Sequence, residues 1–232
     1  MLKNHLTTEI DISLAMAKAI GQIETSGRSV SQTENFESIV DELRASSKGR
    51  INDEASPYVN ELSGLNASYI VVRDEAGRLE GFSAVRKLEI GEERLVGHWR
   101  RQFRRIYGKG AEAFFEGDAP PPAYEIMGQV GFISDIFIEK TARGAGRLDA
   151  TSILILAFGV MAVKWGPEWI YGFTKNRDVK RGLAARYLAT GLFPSAVRWK
   201  VETPNRRDDD WLLCLSRSDY RYVLRRFLDE DH

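Results

Sequence analysis

The chain is short of cysteine, histidine and net charge: 232 residues hold one Cys and three His, and 33 Lys and Arg stand against 33 Asp and Glu. Each shortage removes a class of function. A lone thiol, Cys214, can form no disulfide within the chain, so nothing calls for an oxidising compartment and a reduced cytoplasm is the expected location. His5 and His98 have no partner at metal-ligand spacing and His232 is the last residue, so no metal site is expected. Balanced charge supplies no general drive towards nucleic acid or an anionic membrane. The run Ile153–Val163 is apolar or glycine throughout, yet it is too short to cross a bilayer and reads as a helix buried inside a domain. The first residues, with Glu9 and Asp11 close behind, lack the apolar core of a signal peptide. Repeats and low-complexity segments are absent. No Ser has an assigned His partner, and Cys214 lies in the apolar run Trp211–Leu215, so no covalent nucleophile is expected.

What is present suits one domain with a full core. Residues 1–65 read as a polar helical segment, with Ile10, Leu14, Ala17 and Ile20 on one helix face, a break at Gly27 and Ser29, and a second helix over Glu34–Leu43. A loop follows at Ser46–Arg50. Tyr69–Val72 and Leu79–Leu88 flank a polar turn ending in Gly77, the clearest hairpin signal in the chain. The connection after it is long. Within it the spacing predicts a helix from Arg94 to Tyr107 with Trp99, Phe103 and Ile106 on one face and Arg100, Arg101, Arg104 and Arg105 around the rest; Pro120–Pro122 then stiffens the approach to Tyr124. The arginines have two readings. One is a solvated face over an aromatic stripe; the other is contact with an anion, whether an adenosine 3′-phosphate, an acidic acceptor or nucleic acid, the last disfavoured by the zero net charge.

From Ile133 to Phe193 the pattern is strand, glycine turn, buried helix, strand and second helix, the spacing of a βαβ unit. The turn Ala142–Arg147 contains Gly144 and Gly146 and opens the apolar helix. It is either an ordinary turn or a phosphate cradle of backbone N–H groups from Arg143 to Asp149. Trp165-Gly166-Pro167 stops the helix, Trp169–Thr174 is the next strand, and a helix is predicted over Asp178–Thr190 with Leu183, Leu188 and Tyr187 on its buried side. Among the acids, Asp135 and Glu139 lie on the central strand, sharing a face with Ile133 and Phe137 by simple alternation, and Glu125 precedes it. Asp135 is set in an apolar run where burial would raise its pKa towards that of a useful base; its other reading is a hydrogen-bonded acid at a strand kink. Val197–Glu202 and Trp211–Leu215 read as closing strands, and Ser218 as the cap of a last helix docked through Tyr222, Val223 and Phe227.

Arg143-Gly-Ala-Gly146-Arg-Leu148, behind the strand Ile133–Glu139, resembles the acyl-CoA signature of the GNAT superfamily of N-acetyltransferases, with Leu148 at a position that is usually Gly or Ala and Lys140 near that of a usual proline. Asn176 and then Tyr187-Leu-Ala-Thr-Gly191-Leu192 resemble the family's second motif, with Leu192 where Phe is usual. The resemblance covers roughly Tyr69 to Leu215. It implies an α/β fold with a mixed, mostly antiparallel sheet flanked by helices, residues 1–65 being a helical N-terminal segment of the same domain and 66–232 an acyl-CoA-binding core with an insertion at about 94–125. It implies transfer of an acyl group, acetyl by expectation, from acyl-CoA to a small-molecule or peptide amine, without a metal. By the same resemblance Ile138, Arg143, Gly144, Ala145, Gly146, Arg147, Leu148, Asp149 and Asn176 would hold the cofactor, and Tyr187 would protonate the departing thiolate with Asp135 as candidate base. A homodimer is compatible with it. The alternatives are an acyl-homoserine-lactone synthase-like enzyme, whose N-terminal acidic and aromatic signature is not found, and a non-catalytic module of the same fold that binds an anionic partner through its arginine helix.

Overall fold

The computed structural model describes residues 8–108, 119–143, 148–182, 188–197 and 206–229. The expected hairpin is present: β2 (Ala67–Arg73) and β3 (Leu79–Gly91), rich in β-branched and aromatic residues, meet at a turn where Gly77 takes φ +77° and Asp74 accepts the Arg78 N–H. β4 (Gly128–Ile138) pairs antiparallel with β3, and β5 (Trp169–Thr174) lies parallel to β4. A parallel neighbour needs a crossover, and α5 (Ala150–Lys164) provides it with every residue from Ser152 to Met161 buried. β6 (Gly191–Phe193) and β7 (Trp211–Ser216) complete seven strands in the order β1-β2-β3-β4-β5-β7-β6, all pairs antiparallel except β4–β5. A mixed, mostly antiparallel sheet flanked by helices is thus present, with hairpin before βαβ unit as the resemblance implied.

One sheet face is covered by α1 (Glu9–Thr25), α5 and α7 (Arg217–Asp229), the other by α2 (Phe36–Ala45), a 3₁₀ turn at Asp53–Ala55 and α3 (Leu95–Tyr107), with the short α4 (Pro122–Glu125) leading into β4. No helix of the described residues is long and apolar enough to cross a membrane.

Several expectations change. α1 buries Ile12, Ala15, Ala19 and Ile23, while Ile10 and Leu14 are 70% and 53% exposed. The alanine stripe is used because α1 lies close on α5: a Cβ on Gly159 would meet Met16 Cγ at 2.4 Å. The N-terminal segment is not wholly helical, since β1 (Ser29–Thr33) forms just after Gly27 and pairs with β2; as an edge strand with an exposed face its sequence is polar and gives no apolar signal. The helix after β5 is α6 (Asn176–Lys180); Gly182 and Leu188 both take positive φ, so it does not run to Thr190, although Leu188 does pack against the core. Val197 is buried outside any strand, 198–202 lie outside the described residues, and β6 is the strand that pairs with β7. Ser216, not Ser218, caps the last helix through reciprocal bonds with Asp219, which turns Tyr220, Val223, Leu224 and Phe227 inward and leaves Tyr222 exposed.

Candidate active site

β4 and β5 pair only over Val130–Ile133 and Trp169–Gly172. Beyond Ile133 they diverge, and the cause is local. Opposite β3, Ala84 pairs with Asp135 but Val85 pairs with Ile133, so Ser134 is an extra residue, a β-bulge that bends the strand. The bulge is pinned on both sides: Ser134 Oγ donates to the Ala84 carbonyl at 3.2 Å, and Asn52 Nδ2 donates to the Ser134 carbonyl at 2.8 Å. Past it, the Glu139 N–H donates to the Glu80 carbonyl of the β3 side. Ile138 and Ile136, one and three residues back, therefore turn their N–H and C=O groups the other way, into the gap between β4 and β5. A strand edge open inside a sheet can pair with an extended polar ligand.

The bulge also corrects the face assignment of the acids. Alternation was expected to put Asp135 with Ile133; one inserted residue instead leaves Ile133, Ile136 and Ile138 on the α5 side and sends Asp135 with Phe137 towards α2 and the 3₁₀ turn. Asp135 is 5% exposed and is not isolated: Lys48 Nζ donates to Oδ1 at 2.6 Å and the Asn52 N–H to Oδ2 at 3.0 Å. It is a hydrogen-bonded acid at a strand kink. Glu139 lies past the strand end, where the Ser47 hydroxyl first, and then the Lys140 and Ser47 N–H groups, hold its carboxylate below the usual range. Glu125 is exposed at the end of α4, away from β4's open half.

Of the residues that the resemblance linked to a cofactor, Ile138 lines the gap and Arg143 folds back to donate twice to the Ile138 carbonyl, at 2.9 and 2.7 Å. Leu148 is 4% exposed and closes the turn by donating its N–H to the Ala142 carbonyl; its side chain fills the space over Gly81, where a Cβ would meet Leu148 Cδ2 at 2.7 Å. That packing accounts for a large residue at this position. Asp149 is the exposed N-cap of α5, beside the helix end nearest the turn. Asn176 starts α6 and accepts from Trp211 Nε1 at 3.2 Å. Gly144, Ala145, Gly146, Arg147 and Tyr187 lie outside the described residues.

A second polar group on the same face was not anticipated. Arg206 donates to Glu54 Oε1 at 2.9 Å, both side chains nearly inaccessible, and its guanidinium stacks on Phe173 of β5 at 4.3 Å. Nothing in the spacing of residues 48, 52, 54 and 206 marked them, since they meet only through the fold of two loops over the sheet. Cys214 is buried, and burial pushes its thiol up to about 11, as suits a small core residue. Among the arginines of α3, Arg101 pairs with Glu93, and Arg105 reaches the loop after the 3₁₀ turn, donating to the Val59 carbonyl and Asn60 Oδ1 at 2.6 Å each. Arg100 and Arg104 are exposed.

No protein-family model matches the chain, and no curated protein matches it. Solved structures do. A spermidine/spermine N-acetyltransferase, SpeG, from Vibrio cholerae is 14% identical over 86% of this chain and 98% of its own, with a TM-score of 0.45. A chimera of the Vibrio cholerae spermidine N-acetyltransferase with hSSAT is also 14% identical, over 84% and 98%, at 0.44. A nourseothricin acetyltransferase is 15% identical over 64% and 63%, at 0.35. Likeness this distant assigns no activity, substrate or residue.

Proposed function

We propose that the protein is an acyl-CoA-dependent N-acyltransferase that moves an acyl group, acetyl by preference, directly to an amine. The observation that carries this reading is the gap between β4 and β5, lined by the outward-turned backbone of Ile136 and Ile138, with the Ile138 carbonyl held by Arg143, and lying next to the start of α5. An extended pantetheine-like chain carries amides that can pair with such an edge. The α5 end and the Arg143–Asp149 turn suit a pyrophosphate.

In this reading the amine attacks the thioester carbonyl carbon, a C–N bond forms, the carbonyl oxygen becomes an oxyanion and the C–S bond then breaks. Ile136 N–H, turned towards the gap, would donate to that oxygen. Asp135 takes the amine proton; each carboxylate oxygen keeps a lone pair beyond those used by Lys48 and Asn52. Tyr187, a neutral phenol at pH 7, gives a proton to the departing sulfur. No step asks for a protein nucleophile.

The test begins with binding. Acetyl-CoA should raise the melting temperature and titrate calorimetrically, and Gly146→Val should abolish binding in a folded protein by filling the turn. With an amine found by screening, Tyr187→Phe should slow turnover by about 10²-fold at unchanged acetyl-CoA affinity, while Asp135→Asn should change the pH profile. Absence of binding to acetyl-CoA and to longer acyl-CoAs would overturn the reading.

A further inference from the structure

Apart from the gap between β4 and β5, the fold holds an open cleft of about 960 Å³ between the start of α2, the loop after the 3₁₀ turn and α3, and neither Ile136 nor Ile138 lines it. At its floor two guanidiniums converge on a single neutral oxygen. Asn60 Oδ1 accepts from Arg105 at 2.6 Å, from Arg86 at 3.1 Å and from Gln102 Nε2 at 3.2 Å, three donors on an amide oxygen with two lone pairs. Asn60 is itself 7% exposed. Arg86 Nε is buried with no hydrogen-bond partner among the described residues. Burial first, and then the Arg105 charge, pull the Arg86 guanidinium below its ordinary value, although Glu54 opposes the shift and the Glu54 carbonyl accepts from Arg86 at 2.6 Å. A ligand oxygen carrying real negative charge would satisfy these donors better than the amide does.

Charge of the other sign stands around the same cleft. Glu34, Glu37 and Glu61 line it. Glu34 is paired with Lys164 at 3.2 Å, which leaves Glu37 and Glu61 set against Arg86 and Arg105. A cleft lined by two arginines held in place and by exposed carboxylates favours a ligand that carries both signs over a simple anion or a simple cation, because each bare ion meets repulsion from part of the lining. Phe36, Tyr58 and Leu62 add apolar wall for a side chain.

We propose that this cleft is a binding site for a small zwitterion of the free α-amino-acid type, its carboxylate on Arg86 and Arg105 and its ammonium towards Glu37 and Glu61. The site narrows the anion reading of the arginine helix to Arg105, and it is independent of the acyltransferase reading.

The experiment is calorimetric titration of the full chain with the common free L-amino acids, with the methyl ester and the N-acetyl derivative of the best binder, and with inorganic phosphate. At least one free amino acid should bind saturably, and both derivatives, each lacking one charge, should bind about tenfold or more weakly. Arg105→Gln and Glu61→Gln should each weaken the amino acid by about tenfold. Arg105 is exposed on α3, so its variant remains folded and readable where Arg86→Gln risks the core. Acetyl-CoA affinity should not change in Arg105→Gln, which separates this site from the gap. Binding of no free amino acid, binding of phosphate alone, or amino-acid affinity unchanged in Arg105→Gln would each overturn the proposal.

Discussion

On one face of the sheet α1, α5 and α7 bury a continuous apolar cluster running from Ile12 to Phe227, with Phe158 and Ile153 wholly inaccessible. The opposite face is also packed, around Trp99, Phe103 and Tyr69, yet it encloses Asp135 with Lys48, Glu54 with Arg206, and His98. Apolar burial stabilises without direction, whereas enclosed charges cost desolvation and persist only with partners in place. The helical face holds the sheet together; the polar face, which also borders the gap and the cleft, is where orientation matters.

That contrast can be tested from its stable side first. Phe158→Ala should lose about 3–5 kcal/mol, the cost of emptying a close-packed aromatic site, and lower the melting temperature by about 10 °C, with acyl-CoA binding retained by the protein still folded. A loss as small as that of a surface substitution would mean the helical face is not the main source of stability.

On the polar face the cost should follow partnership rather than volume. Lys48→Met should destabilise by about 3 kcal/mol because it leaves the Asp135 carboxylate enclosed without its cation, and adding Asp135→Asn should restore most of that. Chemical denaturation of the single and double variants reads the coupling directly; additive losses would show that the two residues do not support each other.

His98 gives the contrast a pH signature. Burial first, then the charges of Arg101, Arg86 and Arg105, push it down to about 4, while an unfolded chain titrates near 6.5. Between those values the unfolded state holds a proton that the folded state refuses, so stability is complete above about 6.5 and falls as pH drops towards about 4, by on the order of 2–3 kcal/mol. His98→Gln should flatten that slope, measured by denaturation at a series of pH values. The smallest effect belongs to the solvent: Arg101→Ala, breaking the exposed pair with Glu93, should cost no more than about 0.5 kcal/mol.

Much of the frame was legible. The β2–β3 hairpin, the amphipathic α3, the buried α5 with its Gly166 stop and the strand at Trp211 all carry strong local periodicity or turn chemistry, and each formed where expected. Less legible was the phase of α1, because Ile10, Leu14, Ala17 and Ile20 make as good a stripe as Ile12, Ala15, Ala19 and Ile23, and only the approach of α5 chooses between them. β1 was hidden for the opposite reason, having hardly any apolar pattern. At the candidate site, Asp135 was singled out from its apolar neighbours, but its partners Lys48 and Asn52 lie more than eighty residues earlier and no spacing rule joins them.

By itself the sequence determined what local chemistry can determine: one thiol with no partner within the chain, a balanced charge, a strand–turn–buried helix–strand unit and a hairpin placed before it. The tertiary structure alone decided which way Asp135 points, since one extra residue at Ser134 inverts every position after it, and a bulge is set by the register against β3 rather than by the residues of β4. It also decided that Arg86 and Arg105, nineteen positions apart on a strand and a helix, meet at one oxygen. Contacts of that kind depend on how elements dock, and the free energy that docks them is spread over the whole core.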